Sequence, residues 1–276
     1  MSAPVAQSIW YVYGIVSSEM PETTLPVGLD DTGVALERHD RIAALVSVLE
    51  SDQYAPAALE TNSGDVEWLS PRAVAHDRVL TWASDRGGGA VVPLPMFSLF
   101  SGQQAVRAML RERAAQLAST LARVARGREY ALRVYRVDAE LLAAVASLSP
   151  RLKEMAKTAE SASPGQRYLL ERKLDGEKKV ELRSLSQKIV EDIVSELRPQ
   201  TLSVVRSPIP RVVEAETATR GTMVLNVAFL VAPEQFEALQ KTLTTLVARH
   251  GAHGFRFDFT GPWPPYHFVN EPGPAA

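Results

Sequence analysis

The chain has 276 residues, 46% of them hydrophobic and 22% charged, enough for two domains with a real core. Its 30 basic and 32 acidic side chains nearly cancel to a net charge of −2, which discounts a general affinity for nucleic acid or an anionic membrane. Cysteine is absent, which excludes disulfides, thiolate metal sites and thiol nucleophiles. No stretch reaches the roughly 18 consecutive apolar residues of a membrane span. "MSAPVAQSIWYVYGIV" also lacks the basic segment of a signal sequence, so a soluble, cytoplasmic protein is expected.

"IWYVYGIV" (Ile9 to Val16) and "IAALVSVLE" (Ile42 to Glu50) are rich in β-branched and aromatic residues and read as strands, with a stretch between them that reads mostly as loop. A helix is expected from near Asp65 to the glycines 87–89, with Pro71 placing a break or a second start inside it. "AVVPLPMF" (Ala90 to Phe97) reads as a strand whose two prolines demand an edge position or an early exit from the ladder. Val106, Leu110, Leu117, Leu121 and Val124 then recur at helical spacing, and Gly127 ends the run.

"EYALRVYRV" (Glu129 to Val137) begins a second series. A short helix opening at Asp138 follows, then a long helical stretch from about Gln166 to Leu197 with Leu182, Leu185, Ile189, Ile193 and Leu197 as its apolar stripe. Strands at Leu202 to Val205 and Thr222 to Val231, a helix at Glu234 to His250 and a strand at Phe255 to Phe259 complete it. The order is strand, helices, strand, strand, helix, strand. The expectation is therefore an α+β protein of two domains, 1–127 and 128–276, the second ferredoxin-like (βαββαβ). Its first crossover, about 138–198, is far longer than one crossover helix requires, so an extra helical arm is expected there.

Candidate sites are few. His250 and His253 in "RHGAHG" have a metal-like spacing, with Asp258 and His267 as further candidate ligands. The two glycines make this a helix-ending turn, where a charged His250 would complement the helix dipole, and that reading is preferred. His76 beside Asp77 is a candidate base, but a helix-face histidine satisfying a buried hydrogen bond is the stronger reading. The "RGGGA" loop follows a helix and precedes a strand, the reverse of a phosphate loop, and reads as a turn. No Gly-x-Ser-x-Gly elbow is present. No catalytic, cofactor or metal residue is assigned.

"TGPWPPYHFV" (Thr260 to Val269) places Pro262, Trp263, Pro264, Pro265, Tyr266 and Phe268 close to the end of the sequence. Three prolines stiffen the segment and three large aromatic side chains gain by being covered. It is expected to leave the last strand after Phe259 and to form a strap over 261–269. Trp263, Tyr266 and Phe268 would then lie across an apolar surface of the same chain, at or near the junction between the domains.

"YVYGIV", "HDRVL", "VVPLPMFSLF", "GREYALRVY", "GQRYLLERK", "LNVAFLV" and "TGPWPPYHFV" occur in an order that resembles the gas vesicle protein F/L family (GvpF/GvpL) over nearly the whole chain. One departure is that Pro95, Met96 and Phe97 stand where the family often has the last residues of Pro-x-Arg-Phe-Gly. The resemblance implies a non-enzymatic accessory or minor structural protein of gas vesicle formation, located in the cytoplasm at the gas vesicle. It implies that this protein binds the small hydrophobic shell protein GvpA, alongside other vesicle accessory proteins, and assists its assembly. It implies no cofactor, no nucleic acid and no membrane insertion. The charged helix reads either as a solvated face on an amphipathic arm or as a docking surface, the latter through Arg172, Lys173 and Lys179 on its basic side and the apolar stripe of the long helix. A metal- or His-dependent enzyme and a ligand-binding regulator on a ferredoxin-like sheet are the alternative functions.

Overall fold

The structure, a computed structural model, describes residues 8–49, 52–86, 90–210 and 220–269. The chain divides into two compact units, 1–129 together with 262–276, and 130–261. Against the expected boundary at 127, the division places 128 and 129 in the first unit. The segment from Pro262 onward also belongs to the first unit rather than the second.

The first unit is built on strands β1 (Ile9–Ser17), β2 (Ala35–His39), β3 (Ile42–Leu49), β4 (Val92–Pro93) and β5 (Leu99–Phe100), with helices α1 (Pro56–Asn62), α2 (Val66–Arg86) and α3 (Gln103–Val124). The sheet order is β2-β3-β1-β4, and β5 pairs with the other end of β1. A bulge between Val12 and Gly14 shifts the alternation of β1. Tyr11, Tyr13 and Val16 therefore face α2, through Ala75, Val79, Leu80 and Ala83, while Val12 and Ile15 face α3, through Val106, Leu110, Leu117 and Leu121. Both faces are covered, which is why β1 and β3 read as almost unbroken apolar runs. Gly14 fits this crowding: a Cβ there would come within 2.9 Å of both Leu80 Cδ2 and the Val92 carbonyl oxygen.

Three local differences from the sequence reading have physical causes. The stretch expected as loop contains β2, whose Glu37 is buried because Arg107 and Gln103 of α3 bond it at 2.7 Å each. Helix α2 runs unbroken through Pro71, which removes only the donor to the Glu67 carbonyl, on a residue open to solvent. The strand of the Pro93 and Pro95 stretch is two residues long and lies at the sheet edge, as its prolines require. The glycines 87–89 of the "RGGGA" loop lie outside the described residues.

The second sheet comprises β6 (Arg128–Arg136), β7 (Ser203–Arg206), β8 (Thr222–Val231) and β9 (Phe255–Trp263) in the order β7-β8-β6-β9, and all of it but the first two residues of β6 and the last two of β9 lies in the second unit. Between β6 and β7 run α4 (Asp138–Leu148), α5 (Pro150–Glu160) and α6 (Pro164–Leu197), and α7 (Phe236–Gly251) joins β8 to β9. Alternate residues of β6 (Tyr130, Leu132, Val134) and β8 (Leu225, Val227, Phe229, Val231) meet helix residues such as Leu141, Ile193 and Leu243 in one core. Tyr130 stacks between Phe236 at 4.7 Å and Phe259 at 5.4 Å.

The stripe Leu182, Leu185, Ile189, Ile193 and Leu197, expected to be available to a neighbour, is absorbed by this core. Ile193 is fully covered, and Leu185 packs against the cluster. The α6 residues of this core begin at Leu182, and the outer half of the helix before it is braced by α5 through Arg151 and Glu177.

Candidate functional site

Among the described residues, two features stand out beside the cores, the strap on the first unit and the outer face of α6 on the second. Strand β9 continues through Trp263 instead of ending at Phe259. Pro262 is tolerated because β9 is an edge strand, where a missing donor breaks no ladder. The chain then turns tightly, with Tyr266 N–H donating to the Pro264 carbonyl at 2.7 Å and Phe268 N–H to the Pro265 carbonyl at 3.2 Å.

Pro264, Pro265 and Phe268 are buried, Phe268 completely. Trp263 and Tyr266 remain 40% and 36% exposed, so the three aromatics are not equally covered. Three polar contacts hold the turn to the first unit. Tyr266 Oη donates to Asp77 of α2 at 2.8 Å, and Arg123 Nη1 of α3 donates to the Phe268 carbonyl at 2.6 Å. His267 bonds Glu129 through its backbone N–H at 3.0 Å and its ring Nδ1 at 2.6 Å, and the Glu129 side chain is 1% exposed.

Beside the strap a cleft of about 310 Å³ is lined by His76, the segment Pro93 to Met96, Tyr266 and Val269. His76 Nδ1 lies 2.7 Å from Tyr11 Oη, which also accepts the Phe97 N–H at 3.2 Å. Burial lowers the His76 pKa to about 4, against the opposing pull of Asp77 and of a Leu94 backbone hydrogen bond. Burial likewise raises the Tyr11 and Tyr266 hydroxyls, with Asp77 adding to the rise at Tyr266. His76 is thus a neutral core histidine with a fixed phenol partner. Five of the seven stretches that carry the family resemblance, those holding Tyr11, His76 with Asp77, Pro93 to Phe97, Glu129 and the strap, meet in this neighbourhood. Reading the sequence did not single out Asp77, Arg123 or Glu129 as partners of the strap, because nothing local pairs residues as far apart as 129 and 267.

His250 sits in the last turn of α7, 8% exposed, and among the described residues its Nε2 meets no hydrogen-bond partner. Burial, then the charges of Arg249 and His253, push its pKa down. Burial thus opposes the charged form that would complement the helix dipole, and Arg249 of the same turn pairs with Glu196. Among the described residues no group of three or more His, Cys, Asp or Glu could hold a metal ion.

On α6, Arg172, Lys173 and Lys179 are all exposed, and so are the apolar Tyr168, Leu169 and Val180. No described helix is long and apolar enough to cross a membrane.

The family model described as gas vesicle synthesis protein GvpL/GvpF matches residues 9–270. Gas vesicle protein L1 of Halobacterium salinarum is 26% identical over 275 residues, covering 95% of this chain and 91% of that protein. Gas vesicle protein L of Haloferax mediterranei is 26% identical over 258 residues, covering 89% and 73%. The crystal structure of GvpF from Anabaena aligns with a TM-score of 0.72 at 21% identity, covering 96% of this chain and 99% of that one. GvpF from Microcystis aeruginosa aligns at 0.66 with 18% identity, covering 96% and 100%. The solved structures share the mixed helix-and-sheet fold, and the family match spans both units, from the first strand to the strap: the chain belongs to the GvpL/GvpF family of gas vesicle synthesis proteins.

Proposed function

We propose that this chain is a non-enzymatic assembly factor that binds the hydrophobic shell protein GvpA in the cytoplasm and assists its incorporation into the vesicle wall. Membership of the family supports a role in gas vesicle formation. The observation that carries the finer reading is the outer half of α6, where Tyr168, Leu169 and Val180 stand exposed among basic side chains. Exposed large apolar groups clustered on the half of a helix that its own core does not use suit a surface kept for a partner. We read the second unit as a ferredoxin-like domain with α4, α5 and part of α6 inserted in its first crossover. The order β7-β8-β6-β9 supports this, since β8 lies between the two strands that the crossover joins.

The test is co-purification of GvpA with the parent chain and with a variant combining Arg172→Glu, Lys173→Glu and Lys179→Glu. Retention by the parent and loss by the variant, with folding unchanged, is the expected result. Equal retention by both removes the arm from the interface, and no retention by the parent removes GvpA as the partner.

A further inference from the structure

The outer half of α6 is sorted by charge. At 3.6 residues per turn, Tyr168, Arg172, Gly176, Lys179 and Arg183 follow one line along the helix. Leu169, Lys173 and Val180 follow the line beside it. All of them are exposed. Three acidic residues of the same segment are engaged elsewhere, and Glu171 lies at the border of the face. Glu177 accepts from Arg151 of α5 at 2.7 Å, Glu181 accepts from Ser149 at the start of α5 at 2.7 Å, and Asp175 is held by Lys178 at 2.8 Å. Among the described residues no carboxylate pairs with Arg172, Lys173, Lys179 or Arg183. The face is therefore apolar and basic at once, without an acidic residue inside it.

Gly176 sits in the middle of this face. A glycine inside a helix lowers stability relative to alanine, because it gains the most freedom on unfolding. Nothing in the fold requires it: a Cβ at 176 would meet no atom within 4 Å beyond its own helix. A recess of this kind lets a second helix approach closely.

We infer that this face docks a partner helix whose apolar stripe is flanked by aspartate or glutamate, seated across Gly176. The inference rests on the reading of α6 as the partner-binding element and adds the chemistry of what it binds. Leu169, Val180 and Tyr168 would meet the apolar stripe, and the four cations would meet the flanking carboxylates. An anionic bilayer would attract the same cations, but it gains nothing from a recess at 176, and Glu171 and Asp175 at the border of the face repel it.

The test uses the full chain and fluorescence anisotropy with a synthetic helical peptide carrying a leucine stripe flanked by glutamates. The same peptide with lysines in place of glutamates, and phosphatidylglycerol vesicles, serve as comparisons. Saturable binding of the acidic peptide alone is expected. Arg172→Glu combined with Lys179→Glu should weaken it by about tenfold or more, and so should Gly176→Leu, whose melting temperature stays at or above that of the parent. Equal affinity for both peptides, preference for the vesicles, or unaltered binding by Gly176→Leu would overturn the inference. GvpA is measured against the same variants. If the parent binds GvpA and Gly176→Leu binds it equally well, this inference fails and the proposed function stands. If the parent binds the acidic peptide and not GvpA, the inference stands and the proposed partner fails.

Discussion

His267 and Glu129, 138 residues apart in sequence, are bonded twice through one carboxylate, at 3.0 Å from the backbone N–H and 2.6 Å from the ring. Glu129 is buried at the start of β6, so these bonds satisfy a polar group that water cannot reach. Glu129→Ala should lower the stability of the first unit by about 1 to 3 kcal/mol, because it removes the carboxyl that takes part in both bonds. Glu129→Gln keeps one acceptor oxygen and should fall between parent and alanine. Urea denaturation followed by tryptophan fluorescence measures both. An alanine variant with an unchanged midpoint would show that the strap is held by its apolar contacts alone.

Truncation after Gly261 should cost the first unit more than any single change in the strap. It uncovers the bed of Phe268, and removing a buried phenylalanine side chain alone typically costs roughly 3 to 5 kcal/mol. It also strands Asp77, Arg123 and Glu129 without their strap partners. Hydrogen exchange should quicken in α2 and α3. The core around Phe229 and Ile193, which contains no strap residue, should keep its protection. Equal acceleration in both cores would mean that the strap governs the stability of the whole chain.

The elements were legible wherever the residue pattern itself carries the cause. Val106, Leu110, Leu117, Leu121 and Val124 recur at helical spacing and are the buried face of α3. The alternation of Leu225, Val227, Phe229 and Val231 points one side of β8 into its core. Strand β2 was not legible, since its central Glu37 is buried only because α3, some 70 residues later in the chain, brings Arg107 to it. The stripe of α6 was legible as apolar but not as already used, because periodicity marks a face without saying what covers it. For the strap, its composition showed that it needs cover; the buried Glu129 that receives it could be found only in three dimensions.

Phe97 has φ of +62°, in the left-handed region that disfavours any side chain. The Phe97 ring offsets this by stacking on Trp68 at 5.5 Å and packing edge-on to Tyr11 at 6.4 Å. Glycine, by contrast, adopts that backbone freely. Phe97→Ala should lose the ring and keep the strain, whereas Phe97→Gly loses the ring and relieves it. The glycine variant should therefore be the more stable of the two by roughly 1 kcal/mol, the reverse of their order at an ordinary position. Melting temperatures of the two variants decide it, and a more stable alanine variant would place the strain elsewhere.

His76 makes the stability of the first unit depend on pH. Its pKa falls from 6.5 to about 4 on folding, because the ring is buried beside Tyr11 and Tyr13. Between those two values the unfolded chain binds a proton that the folded chain refuses, so stability rises with pH across that window. The contribution is complete above pH 6.5, declines as pH falls toward 4, and is absent below that. A shift of this size corresponds to about 3 kcal/mol, to order of magnitude. His76→Gln, which keeps a hydrogen-bonding side chain without the titration, should flatten the dependence of the urea midpoint between pH 7 and pH 4. Some slope should persist, since burial also pushes the His250 pKa down and so acts in the same direction. Parallel pH profiles for parent and variant would mean that the acid sensitivity lies with other groups and that His76 exchanges its proton without opening the core.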